Sequence, residues 1–309
     1  MKVLSKISLC IILSLFFIST AGNIFGQITY PRGSQGQRIS QKVGDAEIKI
    51  VYHRPNVKGR KIWGTKEEKA LVPSGEVWRA GANENTTFEV TQNSTINGQK
   101  LPKGKYGFHV IPNADEWIII FNKVNNAWGS FTYKKENDAL RVTVKPQAGN
   151  HQESLIYTIE NVTGNSADVV LAWEKIRVPF KVDIGDVSKR LLNSARTQKV
   201  SIPLRAANYV LSSKLTQNYA EAISWVDNLV GTSKEGQPGY AQIHFNRGFV
   251  KSRLLAAMGK RQEAIALAEK TIALGTDTNK KAKEAGESAP FGQRGIGFLA
   301  NLVKGWKAE

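Results

Sequence analysis

The hydrophobic period of this 309-residue chain changes once, near Gly185, and that change limits its fold more than any other feature. Before Gly185 the pattern has the strand period of two. Residues 47–54 set Ile48, Ile50 and Tyr52 against Lys49, Val51 and His53. Further short apolar stretches lie at 86–91, 105–111, 117–122, 140–145, 155–160, 169–174 and 176–182. Asn97-Gly98 and Pro112-Asn113 punctuate them as turns. About eight or nine strands at short spacing, with almost no helical period, predict an antiparallel β-sandwich. Residues 117–121 (Trp-Ile-Ile-Ile-Phe) are apolar on both faces and predict a central strand. Pro179 lacks an N–H and places its strand at an edge or a bulge.

After Gly185 the period becomes helical. Apolar residues recur at helical spacing in 219–230 and 262–274. Glu221-Ala222-Ile223 and Glu263-Ala264-Ile265 repeat at a separation of 42. The tetratricopeptide period is about 34, and the Gly/Pro/Ser-rich stretch 231–239 accommodates the excess. The pattern resembles about two degenerate tetratricopeptide repeats plus a flanking helix at 294–306. Helices are expected near 203–215, 218–230, 240–258 and 262–274, with Ala222 and Ala264 at helix contacts. The consensus is partial, since no Trp opens the repeat and no Pro closes it, and two independent helical hairpins are the alternative. The fold class expected is therefore an all-β antiparallel sandwich, residues 27–184, followed by an all-α tetratricopeptide-like domain, residues 185–309.

The N-terminus speaks to compartment. Lys2 and Lys6 precede an apolar run of about ten residues at 9–18, too short to span a bilayer. Small and polar residues follow, as in a secretory signal peptide cleaved after Gly26. The expected location is periplasmic or secreted, with no membrane span after cleavage. The one cysteine, Cys10, lies inside that segment. The expected mature chain thus has no disulfide, thiolate metal site or cysteine nucleophile. The formal net charge is +17, and both halves are basic. No zinc-finger, RNP or helix-turn-helix signature accompanies the charge, so nucleic acid is not the expected partner.

Residues 52–87 form the richest local block. They hold Gly59, Gly64, Gly75, Gly81, Pro55 and Pro73, with Trp63 and Trp78. Arg54, Lys58, Arg60 and Lys61 cluster at its start and Arg79, Asn83, Glu84 and Asn85 at its end. Ordered loops of this composition commonly carry function. The block begins a series of motifs: YHRPNVKGRKIWG, LVPSGEVWRAGANENTTF, LPKGKYGFHVIP, EWIIIFNK, WGSFTY and DALRVTVKP. In that order, over about 31–182, they resemble the DUF2911 family of secreted Bacteroidota proteins, whose name records an unknown function. The resemblance implies a fold and an exported location. It brings no agreed catalytic residues.

The chemical motifs are sparse. His53, His109, His151 and His244 show no metal-ligand spacing. His53 and His109 lie on expected strands and could meet on one sheet face as a metal or acid–base pair, or be ordinary hydrogen-bonded histidines. His151, after Gly149-Asn150, is expected in a solvated loop. No G-x-S-x-G elbow occurs, and Ser74 reads as a turn residue. Glu76, Glu84, Glu89 and Glu116 could supply a glycosidase pair, but only if two come within about 5–9.5 Å. The glycines of 292–297 follow no strand, so they make a poor phosphate loop.

What remains is the constellation Arg54, Lys58, Arg60, Trp63, Trp78, Arg79, Asn83 and Glu84, with His109. Arginine forks and indole faces suit a small anionic or glycan-like ligand. The competing reading is a structural clamp, with Arg79 and Glu84 as an ion pair and the tryptophans as its core. Two functions follow. One is an exported binding or scaffold protein whose helices engage a protein or peptide, with no cofactor. The other is a cell-envelope hydrolase using acids or histidines of the block.

Overall fold

The structure, a computed structural model, describes residues 31–197, 202–229, 234, 235, 237 and 239–308. The expected signal peptide lies outside these residues, as does much of the 231–239 loop. The chain divides into two compact units, Met1–Gly185 and Asp186–Glu309.

The described part of the first unit is built from twelve strands. They are β1 (Gln35–Val43), β2 (Ala46–Arg54), β3 (Trp63–Gly64), β4 (Val72–Pro73), β5 (Thr86–Val90) and β6 (Ser94–Ile96). β7 (Gln99–Leu101), β8 (Gly104–Ile111), β9 (Trp117–Asn122), β10 (Asp138–Val144), β11 (Gln147–Glu160) and β12 (Ser166–Asp183) follow. One sheet has the order β1-β2-β5-β8-β9-β10 and the other β11-β12-β6-β7. Every pairing within these two sheets is antiparallel, and only the two-residue β3–β4 pair is parallel. Between the sheets, Phe180 of β12 lies 5.6 Å from Phe108, 6.1 Å from Phe121 and 6.2 Å from Phe88 by ring centroid. Tyr52 meets Tyr157 edge-on at 4.6 Å. Each such buried aromatic stabilises the fold by about 1.5–3 kcal/mol through transfer from water. Strand alternation then turns His53, His109 and Asn122 to the opposite, outer face of the six-stranded sheet.

Several local expectations change. β1 carries only Ile39 and Val43 as aliphatic residues and lies at a sheet edge, mostly exposed, so its sequence lacks strand alternation. The stretches 169–174 and 176–182 are one strand, interrupted at Glu174, whose φ is +53°. Pro179 falls where β12 changes partner: the β11 register ends at Arg177 and that of β6 begins at Val182. β9 lies one strand in from the edge, between β8 and β10. His151 is on β11 rather than in a loop, exposed beside Glu153 at 3.3 Å.

The second unit is helical: α1 (Val187–Thr197), α2 (Ile202–Ser212), α3 (Tyr219–Asp227), α4 (Tyr240–Ala257), α5 (Arg261–Glu284) and α6 (Gln293–Ala308). α1 was not expected from the pattern, and α5 continues ten residues beyond 274. The extension packs through Gly275, where a Cβ would stand 2.7 Å from the Phe245 ring. Leu192, Val210, Tyr219, Ala222, Val226 and Leu254 share one core cluster; Ala268, Leu299 and Val303 share another. Ala222 and Ala264 are both fully buried. No helix of the described residues is long and apolar enough to cross a membrane.

Candidate functional site

The first half of the 52–87 block binds the chain's own backbone. Arg54 Nε donates to the Leu155 carbonyl at 2.9 Å. Arg60 donates to the Val57 carbonyl at 3.1 Å and the Asn56 carbonyl at 2.5 Å. Lys58, at φ +49°, donates its N–H to Glu153 Oε1 at 2.9 Å, and its side chain is exposed. Val57 N–H donates to Glu153 O and Leu155 N–H to Pro55 O. These bonds fasten the end of β2 to β11. Trp63 and Trp78 join Trp117 and Trp173 in a ring cluster with centroids 4.8–5.7 Å apart. Trp78 donates its indole N–H to Gly81 O at 3.1 Å, while the Trp63 indole nitrogen is buried without a partner among the described residues. Arg54, Lys58, Arg60, Trp63 and Trp78 therefore build a clamp.

The second half of the block behaves differently. Trp78 exchanges both backbone hydrogen bonds with Val110 in an antiparallel bridge. That register sets Arg79 beside His109 on the outer face of the sheet. The loop 123–134 folds back across this face. Asn85 fixes it as a peptide group would: its Nδ2 donates to Gly129 O at 2.9 Å and its Oδ1 accepts from Ala127 N at 2.8 Å. Asn83, at φ +59°, donates to Ser34 O and accepts from Gly129 N. The loop starts flat against Gly107, where any Cβ would lie 2.3 Å from the Val124 carbonyl oxygen.

Folding the loop this way brings Ser130 to His109, with Oγ and Nδ1 3.0 Å apart. His109 is 3% exposed, and burial pushes its pKa down to about 4, with Asp138 acting weakly in the other direction. Its ring is neutral at neutral pH. The Tyr133 ring meets it edge-on at 5.3 Å. Asp138 accepts from Tyr133 Oη at 2.6 Å, Arg141 Nε at 2.6 Å and Asn122 Nδ2 at 2.8 Å. Both its carboxylate oxygens are thus engaged away from the histidine.

Arg79 and Glu84, expected as an ion pair, have different surroundings. Glu84 pairs with Arg32 at 2.7 Å and lies 3.4 Å from His53 Nδ1; the Arg32 hydrogen bond holds its carboxyl below the usual range. Glu84 bridges to Trp128 across the loop, so the loop's backbone turns it towards Arg32 and His53. Arg79 has neither an ion pair nor a hydrogen bond among the described residues, and its Nε is buried. Burial alone lowers its pKa. A Cβ placed on Gly129 would stand 3.3 Å from Arg79 Nη1 and 2.9 Å from the Phe131 ring, so these groups meet at Gly129. Phe131 is 84% exposed and Trp128 is 55% exposed.

Of the residues selected by sequence, Arg79 and His109 lie side by side and Asn83 meets them only through the Gly129 backbone, while Glu84 pairs with Arg32 and His53. Ser130, Phe131, Tyr133 and Asp138 complete the site and were missed, although WGSFTY stood among the motifs. His53 and His109 have separate partners, and no group of three or more His, Cys, Asp or Glu among the described residues could hold a metal ion.

Residues 34–182 match the family model DUF2911, described as a protein of unknown function. No curated protein and no solved structure matches the chain.

Proposed function

We propose that this chain is an exported, non-catalytic binding protein whose first unit takes an anionic or glycan-like ligand on its outer sheet face, beside Arg79. One observation carries the reading: a half-buried guanidinium with no ion pair and no hydrogen-bond acceptor among the described residues. Arginine stays protonated, so the desolvation cost of this group is not offset by any described residue. An incoming carboxylate, sulfate or phosphate would supply the missing bidentate acceptor. Ser130 adds a hydroxyl, and the exposed ring of Phe131 adds a flat face suited to a sugar, while the Trp128 ring already carries the Arg32 guanidinium at 5.7 Å. The helical unit, tetratricopeptide-like in this reading, would engage a protein or peptide. Export rests on the signal-peptide pattern of residues 1–26.

Arg79→Gln tests the site. The wild type should gain thermal stability from acidic oligosaccharides or sulfate, and the variant should lose that gain. Without ligand the variant should be as stable as the wild type, or more stable by about 1 kcal/mol, because an uncompensated charge is gone. A destabilised variant, together with a wild type that responds to no anion, would make Arg79 part of the clamp.

A second reading rests on the Ser130–His109 contact, which has the reach of a nucleophile and its base. Two facts weigh against a hydrolase. The histidine's pKa of about 4 makes it a weak base at neutral pH, and among the described residues no free carboxylate orients it. A fluorophosphonate probe should leave Ser130 unlabelled; covalent labelling there would favour the hydrolase.

A further inference from the structure

The helical unit holds a second cationic site, independent of the one above. α3, α4 and α5 enclose a cleft of about 260 Å³. Its floor is Val226, Gly248 and Thr271, all buried. Its rim carries His244, Arg247 and Lys251 of α4 and Lys270 of α5, against the single carboxylate of Asp227. The spacing explains the convergence: 244, 247 and 251 share one face of α4, as 267, 270, 271 and 274 share one face of α5.

The donors are only partly used. Lys251 Nζ takes both oxygens of Asp227, at 2.7 and 2.8 Å. Arg247 Nη2 donates to the Asp227 backbone carbonyl at 2.9 Å, capping the C-terminal end of α3. Among the described residues the Arg247 guanidinium has no other hydrogen bond and no ion pair. Among the described residues Lys270 has no ion pair or hydrogen bond, and the His244 ring, tilted against Tyr240 at 4.1 Å, has no hydrogen-bond partner. Three permanent cations against one carboxylate leave two uncompensated positive charges around a cleft the size of a small ligand.

We infer that this cleft binds a small, doubly charged oxyanion, either a phosphate group or a dicarboxylate. A dianion balances the two excess charges, and the guanidinium fork, the ammonium of Lys270 and the imidazole supply donors from two helices. A monoanion leaves one charge unbalanced and binds more weakly. The close crossing of α4 and α5 at Gly248 gives the cleft its depth, because the floor carries no side chain on the α4 side at that point.

Inorganic phosphate, succinate and acetate, titrated into the full chain at constant ionic strength, test this by calorimetry and melting temperature. At least one dianion should bind more tightly than acetate. Lys270→Glu should weaken that binding about tenfold or more. Lys270 is exposed and has no ion pair or hydrogen bond among the described residues, so its ligand-free melting temperature should not change. Lys270→Gln should act in the same direction with a smaller loss, and serves if the glutamate variant does not fold. Lys280→Glu makes the same charge change about 15 Å further along α5 and should leave affinity unchanged. The inference is overturned if neither dianion binds, if acetate binds as tightly, or if Lys280→Glu weakens binding as much as Lys270→Glu.

Discussion

His109 shows what burying one titratable side chain on a sheet face entails. Its ring is sealed by the returning loop, bonded to Ser130 and flanked by Tyr133. The folded pKa is about 4, against an ordinary value of 6.5. Below pH 6.5 the unfolded chain therefore binds a proton that the folded chain refuses. Stability contributed by the neutral ring is complete above pH 6.5 and is lost as the pH falls from 6.5 to 4. A difference of this size corresponds to a loss on the order of 3 kcal/mol across the window. Urea midpoints at pH 7 and pH 4.5 should show the loss in the wild type. His109→Asn, which cannot titrate, should flatten it. An equal acid sensitivity in the variant would assign the effect to other groups.

At the scale of elements, the α4–α5 contact depends on a missing side chain. A Cβ on Gly248 would lie 2.0 Å from Thr271 Oγ1 and 3.0 Å from Thr271 Cβ. Thr271 cannot swing aside freely, since its hydroxyl donates to Leu267 O at 2.8 Å and the residue is 4% exposed. Gly248→Ala gains about 1 kcal/mol of helix propensity, but with a held side chain 2.0 Å away the overpacking cost lies at the upper end of the usual range, about 2–3 kcal/mol. The variant should lose about 1–2 kcal/mol by denaturation followed at 222 nm, and adding Thr271→Ala should restore part of it. A neutral or stabilising Gly248→Ala would show that the helices do not approach this closely. The same scale explains what sequence could and could not reveal. β2 and β8 were legible because one face of each is apolar, and β9 because both its faces are. β1 was not, because an exposed edge strand needs no apolar alternation. Glu174 masked the continuity of β12, since a bulge looks like a strand end. The site was half legible. Arg79 and His109 were visible as chemistry, yet their meeting with Ser130 depends on a loop returning over Gly107. That return is a non-local event, signalled only by a glycine between Tyr106 and Phe108 and by aromatic residues in a loop.

For the whole molecule, the two units differ in what holds them and in what reports on them. The first is held by sheet pairing and the aromatic cores, and contains Trp63, Trp78, Trp117, Trp128 and Trp173 among the chain's 7 tryptophans. The second rests on small-residue helix contacts, and its tryptophans, Trp225 and Trp306, are partly buried against its clusters. Near-ultraviolet dichroism therefore reads mainly the first unit, and the 222 nm signal mainly the second. Ala264 is fully buried on α5. An arginine there must overpack its contact and bury an unpaired charge, each costing several kcal/mol or forcing the helix away. A small helical unit has a net stability of only about 5–15 kcal/mol from which to lose this. Ala264→Arg should abolish most of the 222 nm transition while the near-ultraviolet transition keeps its urea midpoint. Loss of both signals together would mean that the first unit cannot fold without the second. An unchanged 222 nm transition would mean that Ala264 does not sit at a helix contact.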